Sequence, residues 1–535
     1  MDVCAFSLGG KNTKPENIER ALLYVKQPAH FRLRLFADGL LIGVLVGAVI
    51  ALYHWLLESA DHLRPVLYDF LRDASPLWTA GYFLALLALS VVVRYLMQLD
   101  SMVGGGGIPD LKGVLRGDSH LRWARVLFGK FASVVLGIGA GLSLGRGGPS
   151  VEIGACVGAG VSRVAGRSRA EERFLLTAGA GAGFAAIFNA PLASLVFSFE
   201  ELAKNFSPQM LMGVLGSAIA AGFVTQEIFG VGPMFAVGSV PAVPLGGAYM
   251  LLFLLGVFSG ALGRLFNRVL CLALDTWGRF VPSLGLRTVI PFLAAGVLGF
   301  LLPEILSGGN FLVNRMVQEP LVFGAILVIF LGKFLFTVFC YGSGVPGGIF
   351  LPVLVLGALS GALFSAAAVA LGALPAALCP TFVVLGMAGF FAGSIKAPLT
   401  ASLLIMEITG SFEHLLAVVC VAACAALVND LTGGRPIYDE LYERSRGQGA
   451  RGSRRRVMAE LCVAAGSAME GRCVSAIDWG AHGHVMNVRR GTIELLPQGS
   501  LMLKAGDMLY VLTEESELGA LERAAGEASG GFSRD

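Results

Sequence analysis

A single arginine set among glycines is the most chemically suggestive feature of the chain. Residues 139–158 read Gly-Ala-Gly-Leu-Ser-Leu-Gly-Arg-Gly-Gly-Pro-Ser-Val-Glu-Ile-Gly-Ala-Cys-Val-Gly, so an apolar run breaks around Arg146 and resumes at Pro149. Proline is well tolerated in a first helical turn. The N–H groups that open such a helix lack intrahelical partners, carry partial positive charge and attract anions. Inside a bilayer an open backbone of this kind survives only where protein buries it or a wet cavity lines it. Helices that break mid-membrane and aim their N-termini at a common point are a device of transporters. The stretch therefore reads as part of an anion pathway. Two similar breaks occur, at Gly104–Asp110 and at Gly342–Pro352. The helix after the first is too short to span a membrane and suits a re-entrant element; the alternative is a flexible surface loop.

Composition supports the membrane setting. Of 535 residues, 55% are hydrophobic and 14% charged, with a mean hydropathy of +0.73. Soluble domains carry roughly 25% charged residues, so the chain reads as an integral membrane protein with several spans. The 72 glycines exceed a background of roughly 7% without a collagen-like period, which suits close helix packing and backbone ligation. A net charge of +3 and the lack of a basic-aromatic module argue against nucleic acid as a partner. Nine scattered cysteines do not suggest a disulfide framework. Cys420 and Cys424, one turn apart, read as helix packing, since no further Cys or His lies nearby to complete a metal site. No metal or cofactor is expected.

The polar start of the chain does not resemble a secretory signal. Residues 1–34 carry Lys11, Lys14, Arg20, Lys26, Arg32 and Arg34 ahead of the first span, which the positive-inside rule places in the cytoplasm. Apolar helices are expected at about 36–58, 77–97, 122–144, 210–229, 246–272, 288–302, 321–340, 353–372, 381–392 and 398–428. Asp38 and His54 in the first should face the bundle or an interface. Lys130 is an intramembrane cation, which is a functional candidate by default or else a structural partner of a carboxylate or helix end. Glycine-rich helix starts in corresponding places of two halves point to an inverted repeat with a site between them.

The breaks resemble, in order, the signature motifs of the CLC family of chloride channels and proton-coupled chloride exchangers. Gly105-Gly-Gly-Ile-Pro109 is similar to its Gly-Ser-Gly-Ile-Pro, Gly145-Arg-Gly-Gly-Pro149 to Gly-Arg-Glu-Gly-Pro, and Gly347-Gly-Ile-Phe-Leu-Pro352 to Gly-Gly-Ile-Phe-x-Pro. Asn189-Ala-Pro-Leu with Glu200-Glu201, Lys396-Ala-Pro-Leu-Thr with Met406-Glu407, and Pro436-Ile-Tyr438 follow in family order. The resemblance covers about 36–445 and implies an all-α polytopic domain over 35–446. That domain would be an inverted repeat with broken, re-entrant helices. It further implies a homodimer in the cell membrane, one anion pathway per subunit, and both termini cytoplasmic.

By that resemblance a central anion meets the amides of Ile349 and Phe350 and the Tyr438 hydroxyl, and an outer anion meets amides around Arg146–Gly148 and Phe350–Leu351. Neutral donors and helix dipoles suit conduction, because a full cationic ligand would hold the ion too tightly. Arg146 is thus expected to shape the vestibule field or to serve the structure. Two departures stand out. Gly106 replaces the serine whose hydroxyl contacts the central anion, and Gly147 replaces the glutamate that gates the outer site and carries the proton in exchangers. Glu201 matches the internal proton-transfer glutamate but lacks its outer partner. Glu152 is the alternative outer carboxylate, although five residues is about 500° of helical rotation away from Gly147. The expectation is passive chloride conduction; the alternative is a proton-coupled exchanger using Glu201 and a relocated carboxylate.

Beyond Tyr438 runs a basic linker at 447–456 with Arg451 and Arg454-Arg455-Arg456, which suits the cytoplasmic side and could bind anionic lipid heads. Residues 457–528 change to short alternating strands with turn residues, a small α+β domain expected in the cytoplasm, ahead of a tail at 529–535 expected to be disordered. This domain resembles the C-terminal domain of TrkA-type potassium-transport regulators, with Gly506-Asp507 before an apolar strand as its mark. The resemblance implies dimerisation or a small regulatory ligand, cyclic dinucleotides included. Gly141-Leu-Ser143-Leu-Gly145 also matches a hydrolase nucleophile elbow. That motif needs a strand–turn–helix setting and a histidine, and an apolar helix precedes it here, so no enzyme is expected. A non-conducting, ligand-sensing membrane protein is the remaining class.

Overall fold

The computed structural model describes residues 28–235, 241, 243–244, 248–318, 322–449, 456–479, 483–491, 493–514, 521 and 524–526. The basic residues Lys11 to Lys26, the arginines at 451–455, the expected final helix from Glu515 and the tail at 529–535 lie outside them, apart from residues 521 and 524–526. The chain divides into two units, Met1–Ser445 and Arg446–Asp535.

In the first unit, uninterrupted apolar sequence makes helix and glycine or proline ends it. Helix α1 runs Pro28–Asp73 and α2 Pro76–Met97, followed by α3 (Ile108–Arg116), α4 (Trp123–Gly139), α5 (Gly147–Val164) and α6 (Arg169–Phe188). Then come α7 (Pro191–Phe197), which continues as a π turn over Ser198–Ala203, α8 (Pro208–Phe229), α9 (Ala248–Phe280), α10 (Leu284–Leu301) and α11 (Asn310–Gln318). The unit closes with α12 (Phe323–Gly342), α13 (Phe350–Ala370), α14 (Cys379–Ile395), α15 (Pro398–Thr409), α16 (Leu415–Leu431) and α17 (Ile437–Gly449). Among the described residues eight helices are long and apolar enough to cross a membrane, and the protein is a multi-pass membrane protein.

Three boundaries correct the sequence expectation. Helix α1 continues through Pro65 to Asp73 instead of ending near residue 58, because the charged stretch beyond the apolar run keeps its helical character. The expected helix 122–144 stops at Gly139, with Gly141 at φ +102° turning the chain into the break. The expected single helix 398–428 is two, because Gly410 ends α15 in the left-handed region at φ 69°.

The inverted repeat is written into the packing. Lys130 precedes Gly147, the first residue of α5, by the same separation as Lys333 precedes Phe350, the first residue of α13. Helix α6 ends at Asn189 and α14 at Lys396, both left-handed, and each is followed by Ala-Pro-Leu. A side chain on Gly154 of α5 or Gly179 of α6 would run into the other's backbone, and Gly357 of α13 and Gly386 of α14 repeat that relation. The abundant glycine therefore buys backbone-to-backbone approach between helices, as membrane packing favours. The short helices cap one another reciprocally. Glu407, near the end of α15, accepts from the N–H groups of Leu192 and Ala193 at 2.9 and 2.7 Å, while Glu200, after α7, accepts from those of Leu399 and Thr400 at 3.2 and 2.7 Å.

The second unit holds four antiparallel strands, β1 (Arg456–Cys462), β2 (His484–Arg490), β3 (Ile493–Leu495) and β4 (Asp507–Glu514), in the order β1-β4-β2-β3. Leu461, Val463, Val488, Leu503, Leu509 and Val511 form part of its core. The Gly506-Asp507 mark now has a physical reason. The buried Asp507 carboxylate accepts from Arg490 at 2.8 and 2.7 Å and from the Lys504 N–H at 2.8 Å, so it locks the turn before β4 onto β2. Hydrogen bonding from Arg490 holds this carboxyl below the ordinary range. Its contribution to stability is therefore complete above the unfolded value, about 3.9, and is lost as pH falls through the lower folded value. Asp507→Asn should speed hydrogen exchange of β2 and β4 amides at neutral pH, and the difference from the native protein should shrink in acid, below the ordinary carboxylate range; a difference that persisted unchanged in acid would contradict the assignment.

Candidate functional site

The three glycine breaks meet. Gly145 and Gly348 pair as an antiparallel bridge, N–H to carbonyl at 2.6 and 2.7 Å in the two directions. The Gly105 N–H donates to Gly344 at 3.3 Å, and the Gly347 N–H donates to the Gly105 carbonyl at 3.1 Å. This lacing brings the N-termini of α5 and α13 together. The first intrahelical bonds are Ser150 N–H to Arg146 and Val353 N–H to Ile349, so the amides of Gly147, Gly148, Phe350 and Leu351 precede them and face the junction. A β-carbon on Gly147 would lie 3.4 Å from Cβ of Phe350, which places the two helix starts side by side. Arg146, Gly147, Gly148, Ile349, Phe350 and Leu351 are thus brought to one place.

Gly147 has no room beside it. Its β-carbon would stand 2.5 and 2.8 Å from the Phe188 ring, which is fully buried. That ring packs tilted against Phe350 at 4.8 Å, and Phe350 is itself 4.8 Å from Phe391 and 5.2 Å from Phe184. Phenyl rings therefore fill the space in which a side chain at 147 would start. Gly106 is likewise occupied from outside: its β-carbon would meet the Tyr341 hydroxyl at 2.9 Å. The Tyr438 hydroxyl at the start of α17 is buried and has no hydrogen-bond partner among the described residues.

Both carboxylates weighed for the alternative, proton-coupled reading are held by lysines. Glu152, fully buried on α5, pairs with Lys130 of α4 at 2.8 Å. Lys130 also donates to the carbonyls of Gly104 and Gly105 at 2.9 and 3.3 Å, and the Glu152 carboxylate rests against Gly107. The pair props the first glycine break, which is the structural alternative for Lys130. Glu201 in the π turn pairs with Lys112 of α3; both are 1% exposed. Lys112 also reaches Asp439 at 2.8 Å, and Lys204 pairs with the same aspartate. The π turn, a feature that recurs at functional sites, aims Glu200 at α15 and Glu201 at Lys112.

On the other side of the junction lies a cavity of about 800 Å³ whose lining includes His54, Asp61, Arg64, Arg146, Phe188 and Asn310. Arg146 Nε and Asn310 Oδ1 are buried there without a partner among the described residues. Arg64 pairs with Asp61 at 2.8 Å, and Ser307 donates to the same carboxylate at 2.7 Å. This leaves Arg146 as an uncommitted cation at the cavity floor, which fits a vestibule-field role. His54 stacks on Phe229 at 4.6 Å, and Asp38 pairs with Arg167 at 2.7 Å. Ser143 of the apparent nucleophile elbow shares a 2.8 Å hydrogen bond with Thr337, and Cys424 packs against Gly256 of α9. Lys112, Asp439, Phe188 and Tyr341 escaped the sequence reading. A charge two residues beyond Asp110 in a re-entrant helix was the available signal for Lys112.

A family model described as voltage gated chloride channel matches residues 85–430, and a TrkA-C domain model matches 458–526. An H(+)/Cl(−) exchange transporter ClcA from Vibrio cholerae is 34% identical over 430 residues, covering 76% of this chain and 88% of the relative. The protein of the same name from Salmonella agona is 32% identical over 412 residues, covering 76% and 87%. Among solved structures, a slow cyanobacterial Cl−/H+ antiporter aligns with a TM-score of 0.74 at 28% identity, covering 78% of this chain and 99% of the other. A CLC-type fluoride/proton antiporter aligns at 0.62 and 25%, covering 74% and 95%.

Removing one member of a buried ion pair costs about 3–5 kcal/mol, whereas an apolar replacement of both is often neutral. Lys130→Met should therefore lower the thermal transition in detergent sharply, and Lys130→Met combined with Glu152→Leu should recover most of the loss. Equal instability of the single and double variants would assign Lys130 to the glycine carbonyls alone.

Proposed function

Because this chain belongs to the voltage-gated chloride channel family and ends in a TrkA-C domain, we propose that it moves chloride passively, without stoichiometric proton coupling. One observation carries the reading: position 147, where the family motif has a titratable gate, is glycine, and the Phe188 ring fills the adjoining space. Coupling requires anion and proton to alternate at one place. Amides and phenyl rings bind no proton at any pH. The other carboxylates do not supply the missing group, since Glu152 is tied to Lys130 under the glycine break and Glu201 to Lys112. The second reading is proton-coupled exchange through Glu201. It is favoured by the relatives named H(+)/Cl(−) exchange transporters.

The path runs from the cavity above Arg146, past the amides of Gly147–Gly148 and Phe350–Leu351, to Ile349 and Tyr438. Arg116, Arg122, Arg125, Arg163 and Arg167 gather around the loops that join α3 to α4 and α5 to α6, and the positive-inside rule supports a cytoplasmic side for those loops, Tyr438 and the C-terminal unit. The homodimer and the cell-membrane location follow the family. Met458, Met486, Ile493 and Leu496 are exposed on or beside the strands of the C-terminal unit, which supports a dimerisation role, with a small regulatory ligand as the alternative. No catalysis and no cofactor enter this reading.

Purified protein in liposomes decides between passive flow and exchange. A chloride gradient should drive anion flux and leave protons at equilibrium; uphill proton movement would overturn the passive reading. Gly147→Glu must displace Phe188 and put a carboxylate beside helix N-termini that keep it ionised. It should slow chloride flux by more than about tenfold, a barrier increase of about 1.4 kcal/mol, and make the flux rise as pH falls.

A further inference from the structure

Gly106 is a hole in the inner wall of the site, and another residue has filled it. Tyr341 sits in the last turn of α12, 5% exposed, and its carbonyl accepts the Gly344 N–H at 3.0 Å. Its ring reaches across so that the hydroxyl lies 2.9 Å, and ring Cε2 3.2 Å, from where the Gly106 β-carbon would be. The Tyr438 hydroxyl is buried and has no hydrogen-bond partner among the described residues. The two phenols lie within electrostatic reach of one another. A buried polar group without a partner costs stability and calls for an explanation. That of Tyr438, with a second phenol near it beside a junction of helix N-termini, is explained by a ligand that accepts hydrogen bonds from both.

We propose that the Tyr341 hydroxyl is a second side-chain donor of the inner anion site, replacing the group that Gly106 lacks, and that it sets preference among small monovalent anions. The proposal rests on the reading that this junction conducts anions. A phenol is a neutral donor, so it helps strip water from an anion without holding it as a cation would. The ring packing fixes its position. A strongly hydrated anion such as chloride gives up more on entering than nitrate does, so it depends more on each donor that replaces water.

Tyr341→Phe keeps the ring and removes the donor. A hydrogen bond to a charged group contributes enough that equilibrium chloride binding to the purified full-length protein, measured by calorimetry, should weaken about tenfold. The chloride-to-nitrate flux ratio in liposomes should fall with it. Gly106→Ser with Tyr341→Ala, which moves the hydroxyl to the other wall, should restore the ratio, whereas Gly106→Ser alone collides with the phenol and should not. Native affinity and native flux ratio in Tyr341→Phe would overturn the proposal while leaving conduction intact. If the native protein passes no anion, the conduction reading falls instead, and the chloride titration of Tyr341→Phe still decides whether this hydroxyl binds the ion.

Discussion

Two hydrogen bonds between Gly145 and Gly348, at 2.6 and 2.7 Å, hold the design of this molecule together. A bilayer offers no water to a broken helix, so every exposed N–H and carbonyl must find protein or a wet cavity. Here the two breaks answer each other's need. Gly145 precedes α5 and Gly348 precedes α13 by the same two residues, so the bridge joins equivalent points of the two halves in opposite directions. The third break, at Gly105, ties into the same junction through Gly344 and Gly347. Side chains would not fit: a β-carbon on Gly145 would stand 2.7 Å from the Pro352 ring. Glycine thus satisfies the backbone and, in the same act, points two sets of helix-start amides at one spot.

The halves share a skeleton and diverge in chemistry. Lys130 and Lys333 hold equivalent places on α4 and α12 and are both fully buried. Lys130 meets Glu152, whereas the residue at the equivalent place in α13 is Val355, and Lys333 instead donates to the carbonyls of Ile305 and Ser307 at 3.1 and 2.5 Å. Each lysine braces the loop beside its own half's break. Glu200 and Glu407 carry the symmetry further, each capping the short helix of the opposite half. Symmetric elements build the frame, and the side chains set on it, Arg146, Tyr341 and Tyr438 among them, break the symmetry.

The frame was legible in the sequence because glycine and proline are local signals: the three breaks, the short helix at Pro109 and the two-unit division could be read from punctuation and composition. The partners were not. Lys112 meets Glu201 from 89 residues away and Asp439 from 327, and nothing local in either segment states the pairing. Gly106 and Gly147 could be read as missing side chains, but not as sites refilled by Tyr341 and Phe188, because a ring's reach across a junction depends on the packing of helices distant in sequence. The division of 398–428 was hidden for a different reason. Gly410 is a single glycine in an apolar run, and only its left-handed conformation ends the helix.

The charge arrangement bears directly on proton movement. Lys112, Lys204 and Arg116 face Glu201 and Asp439, three cations against two anions, with Lys112 and Glu201 almost wholly buried. Asp439 shares the Lys112 cation at 2.8 Å, and Glu201 is ion-paired to a buried lysine. The same holds for Glu152 against Lys130. The groups gathered at the junction are backbone amides, phenyl rings and two phenols. The lysines that brace the frame are thus also the partners of its buried carboxylates, so packing and charge pairing are built from the same groups.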